Sequence, residues 1–265
     1  MTARNYLFAE NQDDVALTRF IATAAKVTGF LKGAPGGHLA GWYRAGIDNG
    51  EFLRVLHARL EESYPAAGQP FYAVRLWTNL VWQPAYLAAT AVHAHGALPD
   101  IAGISQSRQN LDIDGYRLEA GPQEKGPVEE LIALAGKNLR AMSDTILAEI
   151  NTVTKLKRVP ALRLLTDRML GIMARLEHYS PGLSLEDKQR FCDLWLDAMG
   201  LTGQGDLERL RLHNGQDVLI IARKGCCLDY LAFPDTYCSS CPKQDDEVRL
   251  ARQRQVAEDE LAAAS

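Results

Sequence analysis

The sequence predicts an α+β protein with a predominantly helical body and short β-hairpins. Apolar residues recur at spacings of three and four through most of the first two thirds of the chain, as they do on one face of an amphipathic helix. Two pairs, Asp114-Gly115 and Asn214-Gly215, each lie between short strand-like runs and indicate hairpin turns. Four of the five cysteines follow the second hairpin, so we also expect a C-terminal cysteine-ligated segment.

Three helices are predicted before the first hairpin, over residues 13–33, 49–64 and 71–96. The third is rich in tryptophan and contains Pro84. A proline inside a helix removes one backbone hydrogen bond and clashes with the preceding turn. We therefore expect Pro84 to kink or break this helix.

Three more helices are predicted between the hairpins, over residues 127–153, 160–176 and 184–200. Pro127 opens the first of them, whose apolar residues share one face. Ser184 and Asp187 resemble a capping box at the start of the last.

The chain divides into three predicted regions. Residues 1–205 form the mostly helical body, and residues 206–245 contain the second hairpin and the cysteines. The second strand of that hairpin, about residues 217–223, runs straight into Cys226, so a stiff strand supports one side of the cysteine segment. Residues 246–265 form a charged, alanine-rich tail that either becomes a terminal helix or stays mobile.

The composition argues against several classes of protein. Of the 265 residues, 47% are hydrophobic and 23% are charged, which is ordinary for a globular protein. The net charge is -4 and no cluster of lysine or arginine dominates a segment, so nucleic acid is not an expected partner. The N-terminal residues lack the apolar core of an export signal, and no uncharged apolar stretch reaches the ~18 residues of a transmembrane helix. We therefore expect a cytoplasmic protein without a transmembrane segment.

The four clustered cysteines are the main candidate for a functional site. They have the spacing C-C-x10-C-x2-C, formed by Cys226, Cys227, Cys238 and Cys241. In a reducing cytosol such clusters are more often metal ligands or redox groups than structural disulfides. Adjacent cysteines also rarely bridge one another without strain.

Zinc and an iron–sulfur cluster both remain open from the spacing. Cys238 and Cys241 suit one turn of a zinc knuckle, but neighbouring side chains on an extended backbone point to opposite faces, so Cys226 and Cys227 suit a single ion poorly unless Gly225 permits a sharp bend. A [2Fe-2S] cluster spreads four thiolates over two irons and relaxes this demand. The spacing matches neither the plant-type nor the bacterial ferredoxin pattern.

The segment "ARKGCCLDYLAFPDTYCSSCP" resembles the C-terminal signature of the FhuF-like ferric siderophore reductases, in which a C-C-x10-C-x2-C run ligates a [2Fe-2S] cluster. As in that family, a basic pair precedes the cysteines, and Tyr230 and Pro234 lie in the intervening loop. The upstream segment "LWTNLVWQPAYLAA" is similar to the tryptophan- and proline-bearing helix of these proteins. Ser239 departs from the glycine that often follows the third cysteine.

The resemblance implies a function. A [2Fe-2S] cluster on the four cysteines would reduce a ferric siderophore, of the hydroxamate type, by one electron and release Fe(II) in the cytoplasm. The body over residues 1–205 would bind the siderophore. Because the sequence has no flavin or nicotinamide signature, the electrons would come from an external donor such as a ferredoxin or a flavin- or NAD(P)H-dependent reductase.

Two further groups of residues are candidates for this reaction. Arg223, Lys224 and Tyr230 flank the cysteines; the two cations would favour the reduced cluster or attract an anionic siderophore, or they are solvated charges at a strand end. Three aromatic residues at helical spacing either floor a substrate pocket or belong to the core, namely Trp77, Trp82 and Tyr86.

The remaining cysteine and a pair of histidines are expected to be structural. Cys192 lies on a predicted helix and reads as a small buried hydrophobe. His93 and His95 would point to different faces of a helix, which does not suit a shared metal ion. Two alternative functions remain for the chain: a zinc-stabilised binding or adaptor protein without redox activity, and an iron–sulfur sensor.

Overall fold

The computed structural model describes residues 9–234 and 236–264. The first eight residues lie outside these ranges, and they include part of the N-terminal stretch that we judged to lack an export signal. One residue of the cysteine segment and the last residue of the tail also lie outside them. Of the described residues, 54% are helical and 12% are in strands, which confirms the predicted α+β class with a helical body.

Seven α-helices and five strands make up the described part of the chain. The helices are α1 (Gln12–Val27), α2 (Gly50–Ser63), α3 (Gln69–Thr90), α4 (Val128–Ile150), α5 (Arg158–Ala174), α6 (Leu185–Ala198) and α7 (Asp246–Ala264). The strands are β1 (Gly33–Pro35), β2 (Ser105–Gln109), β3 (Asp112–Leu118), β4 (Asp206–Arg211) and β5 (Asp217–Ala222). Among these helices, none combines the length and the apolar composition that a membrane span requires.

Helix α3 is the centre of the body. Most of its 22 residues are buried, and it packs against α1, α2, α4 and α5. A helix that is apolar on nearly all sides is expected to be a core helix. The predicted capping box of α6 is confirmed, since the backbone N–H of Asp187 donates to Ser184 Oγ at 3.0 Å.

Pro84 does not break α3, although a break was one of the two outcomes that we expected. The helix continues without interruption to Thr90. Because Pro84 has no N–H, the carbonyl of Leu80 loses its partner within the helix. The side chain of Gln106 replaces that partner: its Nε2 donates to Leu80 O at 3.2 Å and to Gln83 Oε1 at 3.0 Å. A side chain from a neighbouring strand therefore satisfies the proline position.

The first hairpin, β2–β3, turns earlier than predicted. Gln109 pairs with Asp112, so the turn lies at residues 110–111, and Asn110 adopts a left-handed φ of 56°. Asn is one of the few residues that tolerate this conformation. Asp114 and Gly115 instead lie within β3, where the pairing register shifts. Gly115 has a φ of 86° and occupies the bulge, so the signal marked an irregular strand rather than the turn.

The second hairpin, β4–β5, turns where we predicted. Arg211 pairs with Asp217, and Gly215 in the turn has a φ of 85°. Strand β5 packs on α5 and α7 packs on β4. After β5 the backbone is irregular up to α7, apart from a short 3₁₀ turn at Asp229–Leu231, and this irregular stretch contains the four clustered cysteines.

Candidate metal centre

The cysteine segment begins in direct contact with α5. A side-chain Cβ at Gly225 would lie 2.6 Å from Asp167 Oδ2 and 3.1 Å from backbone atoms of Arg163 and Leu164, so only glycine fits between the segment and the helix. The backbone N–H groups of Lys224 and Gly225 donate to the Asp167 carboxylate. Gly225 is therefore needed for close packing against α5.

The four thiols lie close enough to influence one another. Cys227 and Cys238 share a hydrogen bond, and Cys241 and Cys227 both act electrostatically on Cys226. Cys241 is buried, with 2% of its surface exposed, and the other three are half-buried. Within the described ranges, no three His, Cys, Asp or Glu side chains are placed so that they could hold one metal ion.

Three N–H groups donate to these sulfur atoms. The backbone N–H of Leu228 donates to Cys226 and that of Asp229 donates to Cys227. Leu228 has a left-handed φ of 61°, a conformation that non-glycine residues adopt rarely and that is often found at functional sites. Arg223 Nη1 donates to Cys238 Sγ at 3.4 Å. Hydrogen bonds to sulfur are one way in which a protein stabilises negative charge on metal-bound thiolates.

The second half of the site forms a compact turn. The backbone N–H of Cys241 donates to the carbonyl of Cys238 at 3.0 Å, and Gln244 Nε2 donates to the same carbonyl at 2.9 Å. Cys238 and Cys241 therefore lie on one turn, as the x2 spacing predicted.

The pKa values of Cys227 and Cys238 are shifted in opposite directions. The hydrogen bond from Cys238, helped by the Asp229 N–H and the Arg223 charge, lowers the pKa of Cys227 to about 7. The same bond and burial raise the pKa of Cys238. Burial raises the pKa of Cys226. The surroundings of Cys227 thus favour its thiolate, and thiolates rather than thiols bind metals.

Arg223 is held by a buried ion pair. Its Nε lies 3.0 Å from Asp167 Oδ2, and both side chains are largely shielded from solvent. Burial raises the pKa of Asp167 to about 6, against the opposing effect of Arg223 and two backbone donors. Burial disfavours the Arg223 charge, but the attraction of Asp167, Cys238 and Cys227 raises its pKa overall. The guanidinium therefore stays charged beside the cysteines.

The other flanking candidates have different positions. Lys224 Nζ donates to the carbonyl of Gly203 at 2.8 Å, on the loop after α6. The ring of Tyr230 lies 5.6 Å from that of Tyr237, and Lys243 Nζ lies 5.0 Å from the Tyr230 ring centre. Lys243 also interacts favourably with the Cys226 thiolate. Our sequence reasoning missed Lys243; its position two residues after the last cysteine was the available signal.

The cysteine segment contacts the helical body at two further points. Asp229 Oδ1 lies 3.6 Å from Arg75 Nη1 on α3. The ring of Phe233 packs edge-on against that of Tyr64 at the end of α2, with 5.5 Å between ring centres. Together with the Asp167–Arg223 pair, these contacts fix the segment on three helices.

The three candidate aromatic residues separate into two groups. Trp77 is fully buried in the core. Trp82 and Tyr86 are half-buried and line an open cavity of about 620 Å³, together with Arg168 of α5. The geometry therefore brings Trp82 and Tyr86 to a surface where a ligand has room, and leaves Trp77 in the packing.

Cys192 and the two histidines have structural partners. Cys192 is fully buried, and burial raises the pKa of its thiol to about 12. Trp195 Nε1 donates to His93 Nε2 at 2.9 Å, and burial lowers the pKa of His93 to about 4. His95 Nε2 lies 2.9 Å from Gln123 Oε1. The two imidazoles therefore do not converge on a common ion.

The donor set fits a cysteine-ligated metal group. Four sulfur atoms with N–H donors and a buried cation beside them are the type of ligand set that both zinc and iron–sulfur groups use. No model of a known protein family matches the chain, and no solved structure is similar to it. The geometry of the cysteine segment and its sequence pattern are therefore the basis for a functional assignment.

Proposed function

We propose that Cys226, Cys227, Cys238 and Cys241 bind a [2Fe-2S] cluster and that the chain is a ferric siderophore reductase. The observation that carries this proposal is the grouping of four thiols in one short segment, with N–H groups directed at three of the sulfurs. The resemblance of residues 222–242 to the FhuF-like signature supports the same cofactor and the same reaction.

The adjacent cysteines favour two irons over one zinc. A structural zinc site draws four ligands around one small ion at about 2.3 Å from each sulfur. We propose that Cys227 and Cys238 share one metal centre and that Cys226 and Cys241 share the other; the hydrogen bond between Cys227 and Cys238 supports the first pair. The adjacent cysteines then belong to different irons, which removes the sharp bend that a single ion would demand.

The residues around the cysteines favour electron acceptance. A [2Fe-2S] cluster, when bound, supplies one electron at a time to an acceptor. Arg223 holds a permanent positive charge against Cys238, and the backbone N–H groups of Leu228 and Asp229 donate to the adjacent pair. Each of these interactions becomes more favourable as negative charge is added to the sulfurs, so they raise the reduction potential of the site.

One electron is sufficient for iron release from the substrate. Siderophores bind Fe(III) through hard oxygen donors, and they hold the softer Fe(II) ion much less tightly. The protein therefore needs to place a donor near a bulky chelate and needs no acid–base group at the iron. The electrons come from an external donor, a ferredoxin or a flavin- or NAD(P)H-dependent reductase, and the reaction takes place in the cytoplasm.

Single-turnover oxidation tests this function. Protein purified without oxygen is reduced with dithionite, freed of excess reductant and mixed with a ferric trihydroxamate in the presence of an Fe(II)-specific chelator. We expect one Fe(II) to form for each protein molecule that is oxidised. The oxidation is monitored by the visible absorption bands of the protein. A cluster that stays reduced in the presence of the chelate would indicate a sensor rather than a reductase. A colourless protein containing zinc would indicate an adaptor.

A further inference from the structure

One cavity of the body is lined by residues of α3 and α5, the two helices that also form ion pairs with the cysteine segment. It has a volume of about 620 Å³ and opens between the loop after α1, helix α3, the β2–β3 turn and helix α5. This volume is within the range of small-molecule sites. Nothing in the reaction described so far depends on this cavity.

The wall of the cavity is aromatic. The rings of Trp82 and Tyr86 meet edge-on with 6.0 Å between centres, and Arg168 lies 5.9 Å from the Tyr86 ring centre. Phe30, at the cavity edge, is 76% exposed. Covering an exposed phenylalanine ring removes apolar surface from water, so a ligand seated here gains from contact with Phe30.

The charges of the cavity nearly balance. Lys32 and Asp114 form an ion pair of 2.9 Å and neutralise each other. The guanidinium of Arg168 and the carboxylate of Asp112 carry opposite charges, and neither forms an ion pair within the described ranges. A ligand of low net charge with exposed polar atoms suits this lining, whereas a multiply charged anion would meet Asp112 as well as Arg168.

The cavity and the cysteine segment share the same two helices. Arg75, Asn79, Trp82 and Tyr86 follow one face of α3 at helical spacing, and Arg75 contacts Asp229 in the cysteine segment. Seven residues separate Arg75 from Trp82, which is about 10 Å along the helix axis. On α5, Arg168 of the cavity follows directly after the residue that binds Arg223. The same two helices therefore contact both the cavity and the cysteine segment.

We propose that this cavity binds the ferric chelate, with Trp82, Tyr86 and Phe30 against its organic shell and Arg168 donating hydrogen bonds to its oxygen atoms. The proposal rests on the proposed function, because the electron must reach iron held near the cysteines. The lining selects an uncharged or weakly charged chelate over a trianionic one.

Binding is tested with a chelate that cannot be reduced. A hexadentate, uncharged gallium(III) trihydroxamate has the shape of the ferric complex but accepts no electron from the protein. Calorimetric titration of the oxidised holoprotein with this complex measures binding alone. We expect Phe30→Ala and Arg168→Gln each to weaken binding about tenfold. Leu134→Ala on α4 and Arg19→Gln on α1 are matched controls at exposed positions and should bind as the wild type does.

The outcomes separate this inference from the proposed function. Unchanged affinity in Phe30→Ala and Arg168→Gln, or no binding by the wild type, would overturn the cavity as the site even if the ferric chelate is reduced. Weakened binding in these two variants supports the cavity even if the ferric chelate is not reduced, in which case the reductase function alone fails. A gallium(III) triscatecholate of charge -3 should bind more weakly than the trihydroxamate, and equal affinity would overturn the selection by charge.

Discussion

Arg223 is the residue that connects the cysteines with the helical body. Its Nε donates to Asp167 Oδ2, and its Nη1 donates to Cys238 Sγ. The neighbouring Lys224 has the same charge but donates to a distant backbone carbonyl. The sequence alone could not separate these two cations, because both directly precede the cysteine segment.

Replacing Arg223 should lower the reduction potential of the site. Arg223→Gln removes a permanent charge and an N–H donor from Cys238, so we expect the midpoint potential to fall by about 60 mV, which is a tenfold change in a one-electron equilibrium. A spectroelectrochemical titration measures this shift. Lys224→Gln is the matched control and should shift the potential far less; equal shifts in both variants would mean that only general charge matters.

The burial of Asp167 makes stability depend on pH. Its pKa is about 6 in the folded protein, whereas the ordinary value for an aspartate is 3.8. The folded protein therefore binds this proton more tightly than the unfolded chain does. The contribution is fully present below pH 3.8 and is lost as the pH rises through about 6.

We therefore expect the free energy of unfolding of the wild type, relative to Asp167→Asn, to fall by at most about 3 kcal/mol between these pH values. Urea denaturation at a series of pH values measures the difference. A difference that grows with pH would show that the ion pair with Arg223 outweighs the cost of burial.

At the scale of elements, the pair of Gln106 and Pro84 explains why α3 remains whole. A strand residue supplies the hydrogen bond that the proline removes. Gln106→Leu should leave the carbonyl of Leu80 buried without a partner and destabilise the fold by about 1–3 kcal/mol.

Pro84→Ala restores the missing N–H, so the double variant should recover part of that loss. A double-mutant cycle of thermal or urea unfolding measures the coupling. Additive effects of the two substitutions would contradict this account.

Local patterns predicted the helices and the second hairpin, because apolar spacing, the Ser184 capping box and Asn214-Gly215 are all encoded within a few residues. They failed where a distant residue decides the outcome. The continuity of α3 depends on Gln106, which lies 22 residues after Pro84. The β2–β3 turn depends on pairing register, which turned Asp114-Gly115 into a bulge.

The candidate site was predictable in its ligands and not in its surroundings. The spacing alone identified the four cysteines as a group. The contributions of Asp167, Lys243 and Arg168 arise from α5 and from the end of the segment, which only the folded chain brings to the cysteines or to the cavity. For the same reason the sequence could not separate Trp77, which lies in the core, from Trp82 and Tyr86, which line the cavity.

At the scale of the whole molecule, α3 and α5 each contact both the cysteine segment and the aromatic cavity. In the proposed reaction the body binds the chelate, and the C-terminal segment supplies the electron. Electron transfer depends on a metal group bound by all four clustered cysteines, whereas binding of the chelate does not.

Metal analysis of anaerobically purified protein tests that central claim most directly. We expect a red-brown protein with about two irons and two sulfides per chain and no zinc. Cys192→Ser should keep this spectrum and Cys227→Ser should lose or distort it, because only Cys227 belongs to the cluster of four. A colourless wild-type protein with one zinc per chain, or an unchanged spectrum in Cys227→Ser, would contradict the account.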